Sequence, residues 1–261
     1  MRILFIGDIF GEAGRKMVKD FLPGLKSKYS PDVVIANAEN MAGGTGMTPK
    51  TYLEIVQAGV DVVTGGNHSF DKKDGHVILD EEPYVVRPAN YPAELPGKGI
   101  ISFPLKDGRS LCVINMQGRT FMEPLNCPFR MMDDLLSEVK TPFIFVDFHA
   151  EASSEKVAMG WHLDGRVSAI VGTHTHVQTA DERILPKGTA AITDVGMTGP
   201  YDSVIGVQKQ IILDRYIYRK HQKFEPAEHD PFLCGVVIDL DDNNGKAAKI
   251  ERLRIPRFPP A

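Results

Sequence analysis

The chain has little cysteine, no excess of basic charge and no long apolar run, and each shortage removes a class of function. Its three cysteines, Cys112, Cys127 and Cys234, are odd in number and widely spaced over 261 residues. That spacing argues against a disulfide framework and against a cysteine-based zinc set, which needs closer ligands. Cys112 and Cys234 lie in apolar runs and read as reduced core residues, so a reducing, cytoplasmic compartment is expected. Lys and Arg number 30 against 34 Asp and Glu, a net charge of −4. Such a balance gives no reason to expect long nucleic acid or an anionic membrane as a partner. No apolar stretch is long enough to span a bilayer, and Met1-Arg2 leads straight into a strand-like run rather than a charged-then-apolar leader. Internal repeats and low-complexity linkers are also missing.

What is present is an ordinary globular composition, 43% hydrophobic and 25% charged, enough for a substantial core. Ile3–Gly7 reads as a buried strand, followed by a helix near Glu12–Ser27 with Val18, Phe21, Leu22 and Leu25 on one face. A strand at Asp32–Asn37, a helix at Pro49–Ala58 and a strand at Val60–Gly65 continue the alternation, which favours a parallel sheet with crossover helices. The middle carries short strands at Tyr84–Pro88, Gly99–Pro104 and Arg109–Asn115, the last two joined through Asp107-Gly108. A helix bearing Phe129, Met132, Leu136 and Val139 comes next. Alternation resumes with Phe143–Phe148, a helix near Ser153–His162 and the strand Ser168–Gly172. Thr189–Val195 and a final pair, Leu233–Leu240 and Ala247–Leu253, close the chain, with Asn244-Gly245 marking a tight hairpin. The simplest architecture is α/β, a four-layer α/β/β/α sandwich of two mixed sheets flanked by helices, formed as a single domain over residues 1–261.

Five of these apolar runs end in polar segments: Gly7-Asp8, Asn37–Asn40, Gly65–His68, Asp147–Glu151 and Gly172–His176. Strand ends of this kind gather at one rim of an open α/β sheet, where ligands bind. Carboxylate, amide and imidazole groups together there suggest two divalent cations and hydrolytic chemistry. His174 and His176, two residues apart, can face one side of an extended segment, and His149 adds a third imidazole. Asp8 reads either as a ligand or as the N-cap of the next helix. Glu39 reads as a metal bridge or as an exposed loop carboxylate; if buried, it needs a partner. Asn67 offers a hard oxygen beside Gly65-Gly66, which lets the backbone approach closely. His68 is preferred as the proton donor to a leaving group. Arg119 and Tyr201 are weaker candidates for substrate contact, with an ordinary surface loop as the rival reading. His162 reads as packing, and His76, His221 and His229 as surface residues. Gly11 and Gly14 do not make a dinucleotide fingerprint, because position 9 is Ile.

Six blocks carry a closer likeness: GDIFGEAGR at 7–15, NAEN at 37–40, GGNHSFD at 65–71, DFHAEASSEK at 147–156, GTHTHVQTADE at 172–182 and TDVGMTGP at 193–200. Their order resembles the calcineurin-like metallophosphoesterases, and most closely the YmdB-like phosphodiesterase family, through nearly the whole chain. Two positions depart from the wider superfamily. Phe10 stands where a ligating His is usual, and Glu39-Asn40 stand where a Gly-Asp pair supplies the bridge.

The resemblance implies the calcineurin-like phosphoesterase fold and two divalent metal ions per chain, iron or manganese, with zinc also compatible. Asp8, Glu39, Asn40 and His176 would hold the first ion; Glu39, Asn67, His149 and His174 the second, with Glu39 bridging. It further implies hydrolysis of small phosphodiesters, cyclic nucleotides such as 2′,3′-cAMP and 3′,5′-cAMP foremost. A metal-bridging hydroxide would attack phosphorus and His68 would protonate the leaving group. A homo-oligomer is also implied. The rival readings are a two-metal hydrolase of another ester or amide, and a nucleotide-responsive regulator with slow turnover.

Overall fold

The computed structural model describes residues 1–257. In chain order the elements are β1 (Arg2–Ile6), α1 (Gly11–Tyr29), β2 (Val33–Asn37), α2 (Pro49–Ala58), β3 (Val62–Thr64), α3 (Lys73–Glu81) and β4 (Val85–Val86). The middle holds β5 (Ile100–Pro104), β6 (Ser110–Gln117), α4 (Pro128–Glu138), β7 (Ile144–His149), α5 (Ser153–Leu163) and β8 (Ala169–Thr173). The remainder is β9 (Arg183–Ile184), β10 (Ala190–Ile192), β11 (Gly199–Pro200), α6 (Lys209–Tyr218), β12 (Pro231–Leu240) and β13 (Ala247–Pro256).

These strands form two mixed sheets. One runs β11-β12-β1-β2-β3-β4 with β13 paired to β12, and the other runs β5-β6-β7-β8-β10-β9. Within each, the strands that matter for function are parallel: β1 to β4 in the first, β6, β7, β8 and β10 in the second. Parallel pairing puts all their carboxyl ends on one edge.

Side-chain alternation along each strand explains the layering. Ile3 and Phe5 of β1, with Val33 and Ile35 of β2, face the other sheet and pack with Val113, Phe145 and Val171. Leu4, Ile6, Val34 and Ala36 point the opposite way, onto Val18, Leu22, Leu25, Tyr52 and Ile55 of α1 and α2. On the far side, Ile144 and Val146 of β7 pack with Met132 of α4 and Met159 and Leu163 of α5. Both faces of the central strands are buried, so they read as continuous apolar runs. The result is the four-layer α/β/β/α sandwich, with the tilted rings of Phe5 and Phe145 5.2 Å apart between the sheets.

Four elements have no counterpart in the sequence reading: α3, α6, β9 and β11. α6 buries only Ile212, so it lacks the apolar stripe by which a helix is read. β9 and β11 are two residues each, held by neighbours. The expected tight turn at Asn244-Gly245 is a longer connection: Leu240 pairs with Ala247, and residues 241–246 form the loop, closed by Asp241 N–H to the Lys246 carbonyl at 2.8 Å.

Candidate metal centre

All five polar segments emerge on one rim, at the seam between the sheets. β1, β2 and β3 deliver Asp8, Glu39, Asn40 and Asn67 from one sheet; β7 and β8 deliver His149, His174 and His176 from the other. Asp8, Glu39, Asn40, His149 and His176 are buried, while Asn67, His68 and His174 are partly open. The packing around Nε2 of His149 is decisive for what the site can hold. Within reach lie Asn67 Oδ1 at 2.9 Å, His174 Nδ1 at 3.1 Å and Glu39 Oε1 at 3.2 Å. One ring nitrogen carries at most one proton and cannot satisfy three neighbours. Ligand atoms of Glu39, His149 and His174 all fall within 4.8 Å of one another, so a single cation can bridge them.

A second group abuts the first. Nδ2 of Asn40 lies 3.0 Å from Glu39 Oε1 and 3.1 Å from His176 Nε2. Turning that amide by 180° places its oxygen at the same point. Oδ1 of Asp8 is 3.9 Å from His176 Nε2, is fully buried and has no hydrogen-bond partner among the described residues. An orphaned buried polar group costs about 2–7 kcal/mol. With mixed oxygen and nitrogen donors around it, the pocket fits a divalent cation. The Asp8 reading as a helix N-cap is overturned: Phe10 caps α1, and no side chain bonds its first turn.

The charges in this cluster oppose one another. Burial pushes the Asp8 carboxyl up to about 6. Burial also disfavours charge on Glu39, but the His149 imidazolium wins and holds its carboxyl far below the usual range. His149 in turn is opposed by burial yet raised to about 9 by Glu39. Burial, reinforced by the nearby His149 charge, drops His174 to about 3, leaving one ring nitrogen free to ligate.

Behind the rim sits a network that sequence reasoning did not identify. His149 Nδ1 donates to Thr173 Oγ1 at 2.9 Å, and that hydroxyl donates to Asp147 Oδ1 at 2.7 Å. The other Asp147 oxygen accepts from Thr64 Oγ1 at 2.5 Å and Asn37 Nδ2 at 3.0 Å. This chain fixes the His149 ring so that Nε2 faces inward, and it ties β2 and β3 to β7 across the seam. Close approach here is possible only at glycine: a Cβ on Gly66 would lie 2.1 Å from Glu39 Oε2 and 2.5 Å from His149 Nε2. His174 and His176 themselves adopt positive φ, 99° and 65°, an arrangement uncommon for non-glycine residues and typical of functional sites.

The sequence model of the YmdB-like protein family matches residues 4–253. The chain belongs to the YmdB-like family. It is 55% identical to the 2′,3′-cyclic-nucleotide 2′-phosphodiesterase of Bacillus subtilis (strain 168), over 98% of this chain and 97% of that protein. Among solved structures it is similar to a novel phosphatase from Mycoplasma pneumoniae, at 38% identity and a TM-score of 0.94, covering 98% of this chain and 93% of the other. It is also similar to a hypothetical protein from Thermus thermophilus, at 43% identity and a TM-score of 0.93, covering 98% and 99%. The fold is therefore the calcineurin-like phosphoesterase fold, and the family implies divalent metal ions.

For a YmdB-like chain the remaining expectations fall out unevenly. His68 lines a cavity that opens beside the cluster, with Nδ1 2.7 Å from Asp71 Oδ2 and its own backbone N–H on Glu39 Oε2 at 3.0 Å. Asp71 is a partner that sequence reasoning missed, although three residues' separation in a turn could have suggested it. Phe10, buried, meets the His176 ring edge-on at 5.6 Å. Arg119 is not brought to the cluster: it is exposed, its backbone N–H lies 3.2 Å from the Glu155 carboxylate and its guanidinium 3.5 Å from Cys127 Sγ. Tyr201 faces a neighbouring hollow, with its hydroxyl 3.0 Å from Cys234 Sγ and the Arg254 guanidinium over its ring. His162 packs on Phe129 and bonds Asp133, while His76 is half-buried against the Phe70 carbonyl.

Proposed function

We propose that this chain is a dinuclear metal-dependent phosphodiesterase acting on small cyclic nucleotides, 2′,3′-cyclic ones first. The observation that supports it most is the crowding of Asn67, His174 and Glu39 around one nitrogen of His149. The name of the Bacillus subtilis relative adds the substrate class. Asp8, Glu39, Asn40 and His176 would hold one ion, and Glu39, Asn67, His149 and His174 the other. Such ions supply an acidified water and neutralise charge on the phosphoryl oxygens. Mixed oxygen and nitrogen donors suit iron or manganese and admit zinc.

The chain's own contribution begins with His68. Asp71 holds its Nδ1, so Nε2 is the atom that gives a proton to the departing ribose oxygen. Glu39 Oε2 accepts the His68 backbone N–H and so fixes the donor relative to the cluster. Asp147 and Thr173 keep His149 oriented.

The test measures metals per chain together with hydrolysis of bis-p-nitrophenyl phosphate and 2′,3′-cAMP, with and without added iron or manganese. Near two metals and metal-dependent turnover support the reading, and Glu39→Gln should lower metal content. A chain that binds no metal under any loading condition sinks it. His68→Ala should lose about 10²–10⁴-fold in kcat on 2′,3′-cAMP and less on the p-nitrophenyl ester, whose leaving group needs little protonation. Equal losses on both would rule out the proton-donor role.

Residues 1–261 are read as one such domain, although 258–261 lie outside the described residues. Among the described residues no helix is long and apolar enough to cross a membrane. Three free cysteines support a cytoplasmic setting. Exposed Tyr216, Ile217 and Tyr218 on α6 support a homo-oligomer.

A further inference from the structure

The candidate ligands open into a cavity of about 720 Å³, a size that suits a small organic ligand. Its lining is of two kinds. Glu39, Asn40, His68, His174 and His176 supply polar groups, while Phe10, Ile205, Val207, Phe224 and Pro226 supply apolar ones, with the charged Lys223 and Glu225 flanking Phe224. A phosphoryl group alone needs only the first kind. Yet two large apolar residues of the second kind are left open, Ile205 at 52% exposure and Phe224 at 46%.

This apolar wall is built, not a loose tail. Val204 and Val207 exchange backbone hydrogen bonds at 2.9 and 3.0 Å, and Val207 bridges Pro226. Gln208 N–H bonds the Glu225 carbonyl at 3.0 Å and Ala227 N–H bonds the Gly206 carbonyl at 2.8 Å, so the 204–208 turn and the 224–227 segment hold each other. Gly206 passes so close to Phe10 that a Cβ would lie 2.7 Å from its ring. Ile205 takes φ of 45°, a costly conformation for a β-branched residue. There its carbonyl accepts from His176 Nδ1 at 2.8 Å while its side chain stays exposed on the cavity. Phe224 is steadied from α6 by the Arg215 guanidinium, 5.1 Å from the ring centroid.

We infer that this wall seats the nucleobase of the substrate, with Phe224 as the stacking platform and Ile205 as its apolar neighbour. The inference rests on the cyclic-nucleotide reading above and assigns where that substrate's recognition lies. A flat π-face on an aromatic ring is the chemistry that a half-open, rigidly backed Phe offers, and one base–aromatic stack is commonly worth about a tenfold change in affinity or more. The arrangement makes a base-free cyclic phosphate a poor substrate through KM.

The experiment compares the metal-loaded full chain on 2′,3′-cAMP and on ribose 2′,3′-cyclic phosphate. In parallel, calorimetry measures binding of adenosine 3′-phosphate and ribose 3-phosphate. The wild type should prefer the adenosine compounds by about tenfold in KM and in Kd. Phe224→Ala should collapse both preferences, whereas Phe224→Tyr, which keeps the ring, should retain them. Equal binding of both phosphates by the wild type, or a preference that survives Phe224→Ala, overturns the base seat. So does a Phe224→Leu variant that retains the full preference, since apolar bulk without a ring would then suffice. If neither cyclic phosphate is turned over, the phosphodiesterase reading fails, and the calorimetric comparison still decides the base seat by itself.

Discussion

At the candidate centre, His149 and Glu39 are the residues at which acid–base chemistry would compete with a bound cation. Without a cation, burial opposes charge on both, but each stabilises the other's charge, and His149 holds its proton to about 9. A cation at Nε2 needs the neutral ring, so uptake below that pH displaces the proton. The sign follows directly: apparent metal affinity should rise with pH through the neutral range, by about tenfold per unit, and level off above about 9. Calorimetric titration of metal-free protein at pH 7.5, in buffers of different ionisation enthalpy, should show about one proton released per chain from this group. No buffer dependence would remove the imidazolium–carboxylate pair from the account. At this scale the sequence was informative about identity. Small residues around His174 and His176, and a carboxylate at the end of an apolar run, singled out side chains that the fold brings together. The supporting Thr64, Asn37 and Thr173 left no such trace, because their partners come from strands far apart in the chain.

The turn after β8 shows how an element is held in an unfavourable shape. His174 and His176 both have positive φ, and Thr175 between them is fastened by its hydroxyl and its N–H to Asp194 Oδ2, at 2.7 and 3.2 Å. Asp194 in turn pairs with Lys156 Nζ of α5 at 2.6 Å, both side chains almost fully buried. Lys156→Met leaves the carboxylate buried without its counter-charge and should destabilise the fold by about 3–5 kcal/mol in urea denaturation. It should also weaken metal binding by about 10–100-fold, as loss of an outer support does. The double variant Lys156→Met/Asp194→Asn should recover much of the stability; if it does not, the pair's role is packing and not charge compensation. Elements differ in legibility for physical reasons. α2 is signalled by Thr48, whose side chain and Thr51 cap each other's backbone, by Pro49 at its start and by Gly59 at its end. α3 has no side-chain cap and carries Gly75, and α6 has almost no buried face. They form through tertiary contacts that a local pattern does not encode.

For the whole molecule, the candidate centre is assembled because two sheets meet. Asp8, Glu39, Asn40 and Asn67 come from one and the three imidazoles from the other. Phe5 and Phe145 sit in the intervening layer, both fully buried. Phe145→Ala should cost about 3–5 kcal/mol of stability by loss of transfer energy and creation of a cavity. Urea denaturation measures that loss, and excess metal should restore part of it, since a ligand bound across the seam favours the folded state. A loss below about 1 kcal/mol would mean that the layer collapses around the gap.

Layer order, the parallel core and the polar strand ends that gather at one rim were legible in the chain alone, because alternation and polar strand exits are local properties. Six ordered blocks carried the family in the same way. Packing in three dimensions was needed to show that Asp147 stands behind His149, that Asp71 holds His68, and that Tyr201 lines a separate hollow shared with His176. The open Phe224 on the same cavity as the candidate ligands belongs to the same class of fact. Strand periodicity says which face a residue takes, but not which distant segment that face will meet; that is fixed by how the two sheets and their loops pack.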